Sequence, residues 1–126
     1  MLLIDFIIKG NIEMVERSII EGADVNAEYG YPLRTAAMCG HHKIAELLIE
    51  KGADINVMQN TMSPVELASA NGHLETVKWL HENRKEGCTK WAMNWAARYD
   101  HLDVVIWLHE NRHEGCTTKA NELVIL

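Results

Sequence analysis

The chain has 126 residues, a formal net charge of −6 and 48% apolar residues. Length and apolar content predict one domain with a packed core and exclude a disordered chain. The acidic balance disfavours a nucleic-acid partner because negative surfaces repel phosphates. The odd set of three distant cysteines predicts free thiols in a reducing compartment. The opening MLLIDFII is too short to span a membrane and lacks signal-peptide features, so we expect a cytoplasmic protein without a membrane partner.

The first predicted elements are two short helices. Residues 2–9 are apolar at 3, 4, 7 and 8, and a second helical pattern covers 12–20, ending at Gly22. Neither helix is long enough to be stable alone, so the two must pack as a pair.

Three further helix pairs follow, and the chain repeats itself. GADVN at 22–26 returns as GADIN at 52–56, and NGHLETVKWLHENRKEGC at 71–88 returns as YDHLDVVIWLHENRHEGC at 99–116, identical at twelve of eighteen positions. The helix pairs lie within 31–52, 63–83 and 89–111, with Pro32 and Pro64 in first turns and Ser63 and Thr89 as N-caps. We expect Leu48, Leu80 and Leu108, with Ile19, to form one buried row.

The segments YPLRTAA, SPVELAS, GHHKIAELLIEKGADIN and NGHLETVKWL resemble the ankyrin repeat. The resemblance covers nearly the whole chain and implies an all-α ankyrin-repeat solenoid of stacked helix–turn–helix pairs with short inter-repeat loops. Residues 1–126 then form one domain, with units of about 1–30, 31–60, 61–88 and 89–116 and a half-repeat at 117–126. The segment WLHENRKEGCT also resembles divergent ankyrin proteins of giant DNA viruses of amoebae.

The sequence departs from the family's usual pattern at identifiable positions. Arg34, Glu66 and Asn94 replace the signature histidine, so that residue's hydrogen bonds must be made otherwise. Asp100 replaces a turn glycine, where a left-handed backbone is expected. Spacings below the family's usual period predict clipped loops, particularly after residues 83 and 111. Histidines 41, 73 and 101 occupy the family's turn position, where we expect the local backbone to satisfy them.

Residues 109–113, HENRH, formally match the H-E-x-x-H pattern of zinc hydrolases. The sister copy HENRK at 81–85 lacks the second histidine, and a third ligand would have to come from Cys116. We therefore expect no metal, no cofactor and no catalytic residue, and keep a zinc hydrolase using His109, Glu110 and His113 as an alternative.

The resemblance implies a non-enzymatic scaffold that binds a partner protein on its concave face, formed by loop tips and the ends of first helices. If the viral resemblance holds, the partner is a host protein and the location is the host cytoplasm. Transferred position by position, the expected partner-binding residues are Glu28, Tyr29, Tyr31, Met38, Met58, Gln59, Met62, Asn71, Arg98 and Tyr99, with Trp91 nearby.

Three further expectations concern large side chains and the chain ends. Trp95 is expected in the core, whereas Trp79 and Trp107 are expected to fill grooves between repeats or, alternatively, to form a binding stripe on the convex side. The apolar ends either fold back onto their neighbours or stack on another copy, which leaves a monomer and a weak end-to-end dimer open.

Overall fold

A computed structural model describes residues 2–58, 62–84 and 89–112. Within those residues the chain is all helical and forms four antiparallel pairs. Odd-numbered helices pack on odd-numbered ones and even-numbered helices on even-numbered ones, which gives two layers. The order is α1 Leu3–Ile8, α2 Ile12–Ile20, α3 Ala27–Cys39, α4 His42–Glu50, α5 Pro64–Ala70, α6 Leu74–Asn83, α7 Lys90–Arg98 and α8 Leu102–Glu110. The predicted all-α stack is confirmed, and the predicted half-repeat at 117–126 lies outside the described residues.

Local sequence signals set the helix ends. The Asn11 side chain accepts from the Met14 N–H at 3.2 Å at the start of α2, and the Glu66 carboxylate accepts from the Ser63 N–H at 2.7 Å at the start of α5. Gly40 ends α3 in the left-handed conformation, where a glycine carries no steric penalty. These caps satisfy backbone groups that the short helices leave without partners.

The core consists of two buried clusters, a first one built from the first two helix pairs and a second one built mainly from the third and fourth pairs. Leu48, Leu80 and Leu108 are fully buried, as predicted. Leu48 lies in the first cluster, where half-buried Ile19 packs against it, whereas Leu80 and Leu108 lie in the second, so the expected single row is divided between two clusters. Trp79 and Trp107 are half-buried against the second cluster, which confirms that they pack between repeats. Completely burying a leucine contributes about 1.5–3 kcal/mol, so these three leucines are a main source of stability.

A histidine hydrogen bond links each helix pair to the preceding one. His41, His73 and His101 each donate from Nε2 to a main-chain carbonyl of the preceding pair, over 3.3, 2.9 and 3.0 Å. The accepting residues lie 33, 35 and 31 positions earlier in the chain. The expectation that the local backbone satisfies these rings was therefore wrong, because the bonds join neighbouring units.

The turn glycines make room for these rings. Gly40 and Gly72 have positive φ, and a Cβ on either would lie 2.5 Å from the imidazole of His73 or His101. Asp100 holds the same left-handed turn between α7 and α8, with φ of 62°. Among the described residues no further histidine lies over that turn, so a side chain is accommodated there.

Candidate functional site

Three consecutive left-handed residues form the start of α3. Glu28, Tyr29 and Gly30 have φ of 49°, 57° and 72°, and the regular helix follows them. Left-handed backbone costs roughly 1–2 kcal/mol for each non-glycine residue, so other contacts must hold this turn. Strained turns of this kind concentrate at functional sites, which makes the turn a candidate binding feature.

Arg34 supplies the stabilising contacts. Its Nε donates to the Tyr29 carbonyl at 3.1 Å and its Nη2 to the Glu28 carbonyl at 3.2 Å. The guanidinium also lies 5.4 Å from the centre of the Tyr31 ring. Arg34 is buried and stands where the family signature has histidine. Hydrogen bonds from charged donors are stronger than neutral ones, so the substitution fits the strained turn.

The turn exposes Tyr29 and partly covers Tyr31. The Tyr29 side chain is 72% exposed, Glu28 is exposed, and Tyr31 is half-buried beneath Arg34. A Cβ on Gly30 would lie 2.6 Å from Val57, so the second loop packs directly against the turn. The structure thus holds Tyr29 on a braced turn rather than on a free loop.

The remaining predicted residues differ in exposure. Met58 and Asn71 are exposed, whereas Met38 and Met62 are half-buried. Gln59 lies outside the described residues. Of these five, Met58 and Asn71 retain the accessibility that partner binding requires.

Aromatic rings follow one face of α7. Trp91, Trp95 and Tyr99 are spaced by four residues, which aligns them along the helix. Trp95 and Tyr99 stack with ring centres 6.2 Å apart and planes 8° apart. The Arg98 guanidinium lies 5.5 Å from the Trp95 ring centre, and the Lys90 ammonium 4.7 Å from the Trp91 ring centre. We call Trp91, Trp95, Arg98 and Tyr99 the α7 aromatic row.

The α7 aromatic row corrects one expectation and extends another. Trp95 was expected in the core, but it is half-buried. Its ring stacks on Tyr99 and lies near the Arg98 guanidinium. Its small neighbour Ala96 is the buried residue. Tyr99 and Trp91 are 54% and 50% exposed, so the row faces solvent at both ends. The four-residue spacing of the rings was the signal that sequence reasoning missed.

An open groove, which sequence reasoning did not identify, lies between α1 and the start of α3. Its volume is about 430 Å³, and its walls come from the first turn of α1, the loop at Ala23 and Asp24, and the first residues of α3. Glu28 and Tyr31, both predicted binding residues, line it.

The HENRH segment is described only in part. His109 and Glu110 are exposed at the end of α8, whereas His113 and Cys116 lie outside the described residues. Within residues 2–58, 62–84 and 89–112, no group of three or more histidine, cysteine or acidic side chains is arranged to hold a metal ion. None of the helices in these segments is long and apolar enough to cross a membrane.

The stacked helix pairs and their cross-unit contacts define a helical repeat protein, a class that binds through extended surfaces. The family model for ankyrin repeats, in three copies, matches residues 3–90, and the chain belongs to the ankyrin repeat family. Its fold is therefore an all-α ankyrin solenoid.

Similar proteins occur in distant organisms. The chain is 40% identical over 68 residues to the ARF GTPase-activating protein Git of Drosophila melanogaster, covering 50% of this chain and 9% of that protein. It is 34% identical over 87 residues to a putative ankyrin repeat protein of Fowlpox virus, covering 62% and 13%. It is 34% identical over 82 residues to a putative ankyrin repeat protein of Rickettsia bellii, covering 57% and 49%. The chain thus spans less than half the length of each of these relatives.

Proposed function

We propose that this protein is a non-enzymatic scaffold that binds a partner protein on the concave face formed by its odd-numbered helices and loop tips. The observation that carries the proposal is the α7 aromatic row, in which two large rings and an arginine remain accessible on an otherwise well-packed helix. Ankyrin repeats are generic protein–protein interaction modules, which supports the same class of function.

The chemistry of the row suits a binding hot spot. Tryptophan, tyrosine and arginine dominate the energetics of protein interfaces, because they combine large apolar area with directional polar contacts. The stacking of Trp95 on Tyr99 also fixes these rings before a partner arrives. Such preorganisation reduces the entropy lost on binding. Tyr29, on its braced turn at the start of α3, offers a second preorganised ring.

The nature of the partner is a further part of the proposal. The resemblance to viral ankyrin proteins and the match to a Fowlpox virus protein make a host-cell protein the first partner to test. The expected cytoplasmic location belongs to the same proposal. Metal content after dialysis separates a scaffold from the zinc hydrolase alternative: a true site through His109, Glu110 and His113 retains about one zinc per chain, and a scaffold retains none.

The test is affinity capture from candidate host lysate with two matched double variants. Trp91→Ala with Tyr99→Ala removes exposed aromatic area from α7, and Leu102→Ala with Ile106→Ala removes exposed apolar area from α8. Circular dichroism and thermal unfolding should confirm that both variants fold. We expect a partner retained by wild type and by the α8 variant but lost by the α7 variant. Retention by both variants, or loss by both, would contradict the proposed face.

A second candidate, self-assembly through the apolar ends, is favoured by one observation. Leu102 and Ile106 lie on one face of α8 and are 64% and 58% exposed. Sedimentation across a range of concentrations tests this candidate. A mass that rises with concentration in wild type, but not after Ile106→Lys, would support end-to-end association.

A further inference from the structure

We propose that the groove between α1 and the start of α3 receives an aliphatic side chain from the partner, flanked in the partner sequence by lysine or arginine. This inference rests on the proposed scaffold function and deepens it, because it gives the chemistry of one segment that the scaffold recognises. It uses a different part of the molecule from the α7 aromatic row, so the two can fail separately.

The groove has an apolar floor. Leu3 and Ile4 of α1 line one side, and Ala27 and Pro32 of α3 line the other. The volume of about 430 Å³ lies within the range of pockets that take small ligands or side chains. Burying a leucine-sized side chain there removes apolar surface from water on both partners, which is the favourable term in most protein association.

One small residue keeps the groove open in the first unit. Ala27 follows GADVN, and Val57 occupies the equivalent place after GADIN. Val57 packs against Gly30, so the larger side chain closes the second loop against the turn. Ala27 has no comparable bulk, and the space beside it forms part of the groove. The difference also indicates that a branched side chain is compatible with this position of the fold.

The polar lining carries negative charge. Asp5, Asp24 and Glu28 line the groove, and none of its lining residues is lysine, arginine or histidine. Asp5 accepts from the Leu2 N–H at 2.8 Å and Asp24 from the Asn26 N–H at 2.9 Å, so each carboxylate is held in place by its own backbone.

The nearest cation on α3 does not neutralise the groove from within. Arg34 is buried and directs its donors to the carbonyls of Glu28 and Tyr29. An apolar floor with fixed carboxylates is complementary to an aliphatic side chain beside a cation. It is unfavourable to an acidic segment, because like charges disfavour association.

The test uses three short capped peptides and resonances that report on the groove. The first peptide has one leucine between two lysines, the second has leucine between two glutamates, and the third has serine between two lysines. Titration into isotope-labelled protein, followed by NMR, detects weak binding and locates it. We expect the first peptide to shift the signals of Ile4, Ala23 and Ala27, with much smaller changes from the other two.

Variants separate the groove from general charge effects. Asp24→Asn removes one carboxylate but keeps the acceptor for the Asn26 N–H. Asp54→Asn is the matched control, since Asp54 accepts from the Asn56 N–H at 2.9 Å in the same way but does not line the groove. Asp24→Asn should weaken the first peptide about two- to fivefold, as expected for one exposed charge pair, and Asp54→Asn should leave it unchanged. Ala27→Leu should fill the groove and abolish the local shifts while the rest of the spectrum stays that of wild type.

Several outcomes would overturn the inference. Equal binding of the glutamate peptide, equal binding of the serine peptide, equal effects of the two asparagine variants, or shifts located elsewhere would each exclude a groove for a basic aliphatic segment. Groove signals that move with protein concentration in the absence of peptide would identify a second copy as the occupant instead.

Comparison with the capture experiment shows which proposal fails. If the peptides do not bind but capture depends on Trp91 and Tyr99, only the groove inference is wrong. If the first peptide binds as expected but capture does not depend on Trp91 and Tyr99, the groove stands and the α7 aromatic row is not the main binding face.

Discussion

Helices α6 and α8 are nearly the same sequence in two different environments. Leu80 and Leu108, at the same place in the two helices, are both fully buried. The histidines that follow these leucines differ in burial. His81 is buried and bonds through Nε2 to the Asn111 carbonyl, whereas its counterpart His109 is exposed.

The difference follows from position in the stack. Helix α8 packs on α6 and Trp107 meets the His81 ring edge-on, with centres 5.3 Å apart. No described helix packs in the same way on α8, which leaves Leu102 and Ile106 accessible. Burial in this solenoid is thus set by which neighbour a unit has as well as by its own residues.

The largest expected effect comes from truncating the two shared leucines. Leu80→Ala and Leu108→Ala should each lower the free energy of unfolding by about 2–5 kcal/mol, because both leave a cavity in the core. Leu80 has packed units on both sides, so its cavity should collapse less and its loss should be the greater. Urea unfolding followed by circular dichroism measures both losses. An equal or larger loss for Leu108→Ala would contradict the claim that neighbouring units on both sides increase the cost at Leu80.

The turn glycine Gly72 tests whether contact with the histidine of the following unit contributes to stability. Gly72→Ala combines left-handed strain with a clash against His101 and should destabilise the fold by about 2–4 kcal/mol. Gly22→Ala is the control without a clash: its φ is 105°, against 73° for Gly72, but nothing lies within 4 Å of the new Cβ, so only backbone strain is expected. Thermal unfolding of both variants separates the two contributions. Equal losses would mean that the histidine contact is unimportant.

A smaller effect is expected from the paired histidines. His81→Ala removes a buried hydrogen-bonding ring that also contacts Trp107, and should cost about 1–3 kcal/mol. His109→Ala, at an exposed position, should stay within about 0.5 kcal/mol of wild type. The same urea experiment distinguishes them, and a comparable loss for His109 would show that something covers α8 in solution.

The smallest change in stability is expected at Ile106. The equivalent residue of α6 is Lys78, so Ile106→Lys copies a side chain that the repeat already carries. We expect a change of about 0.5 kcal/mol or less, because the side chain is mostly exposed. A clear loss of stability in dilute solution, measured by thermal unfolding, would indicate that the isoleucine packs against another part of the chain.

The sequence predicted the fold well because each signal it used is local or periodic. The predicted helix start at Ser63 depends on Glu66, three positions away, and the burial of Leu48, Leu80 and Leu108 follows from the repeat. The motifs GADVN and GADIN also identified equivalent loops, which the structure links through Asn26, whose side chain donates to the Gly52 carbonyl at 3.0 Å.

The candidate site was less predictable because it depends on contacts between elements. The left-handed turn exists because Arg34 reaches back to its carbonyls, and no propensity of Glu28 or Tyr29 predicts that conformation. Trp95 was placed in the core because it precedes Ala96, whereas its ring contacts Tyr99 and Arg98 at the surface. The groove depends on what Ala27 lacks compared with Val57, and a missing side chain gives no positive signal in a sequence.

Asp100 has a consequence for how such an array can lengthen. Duplication of the third unit would copy Gly72, and the histidine of the next unit could lie over that glycine as His101 does now. Duplication of the fourth unit would copy an aspartate, whose Cβ would occupy the position of the incoming imidazole, by analogy with Gly72 and His101. A further unit that carries the turn histidine can therefore stack on the fourth unit in the same way only if glycine is restored at that turn.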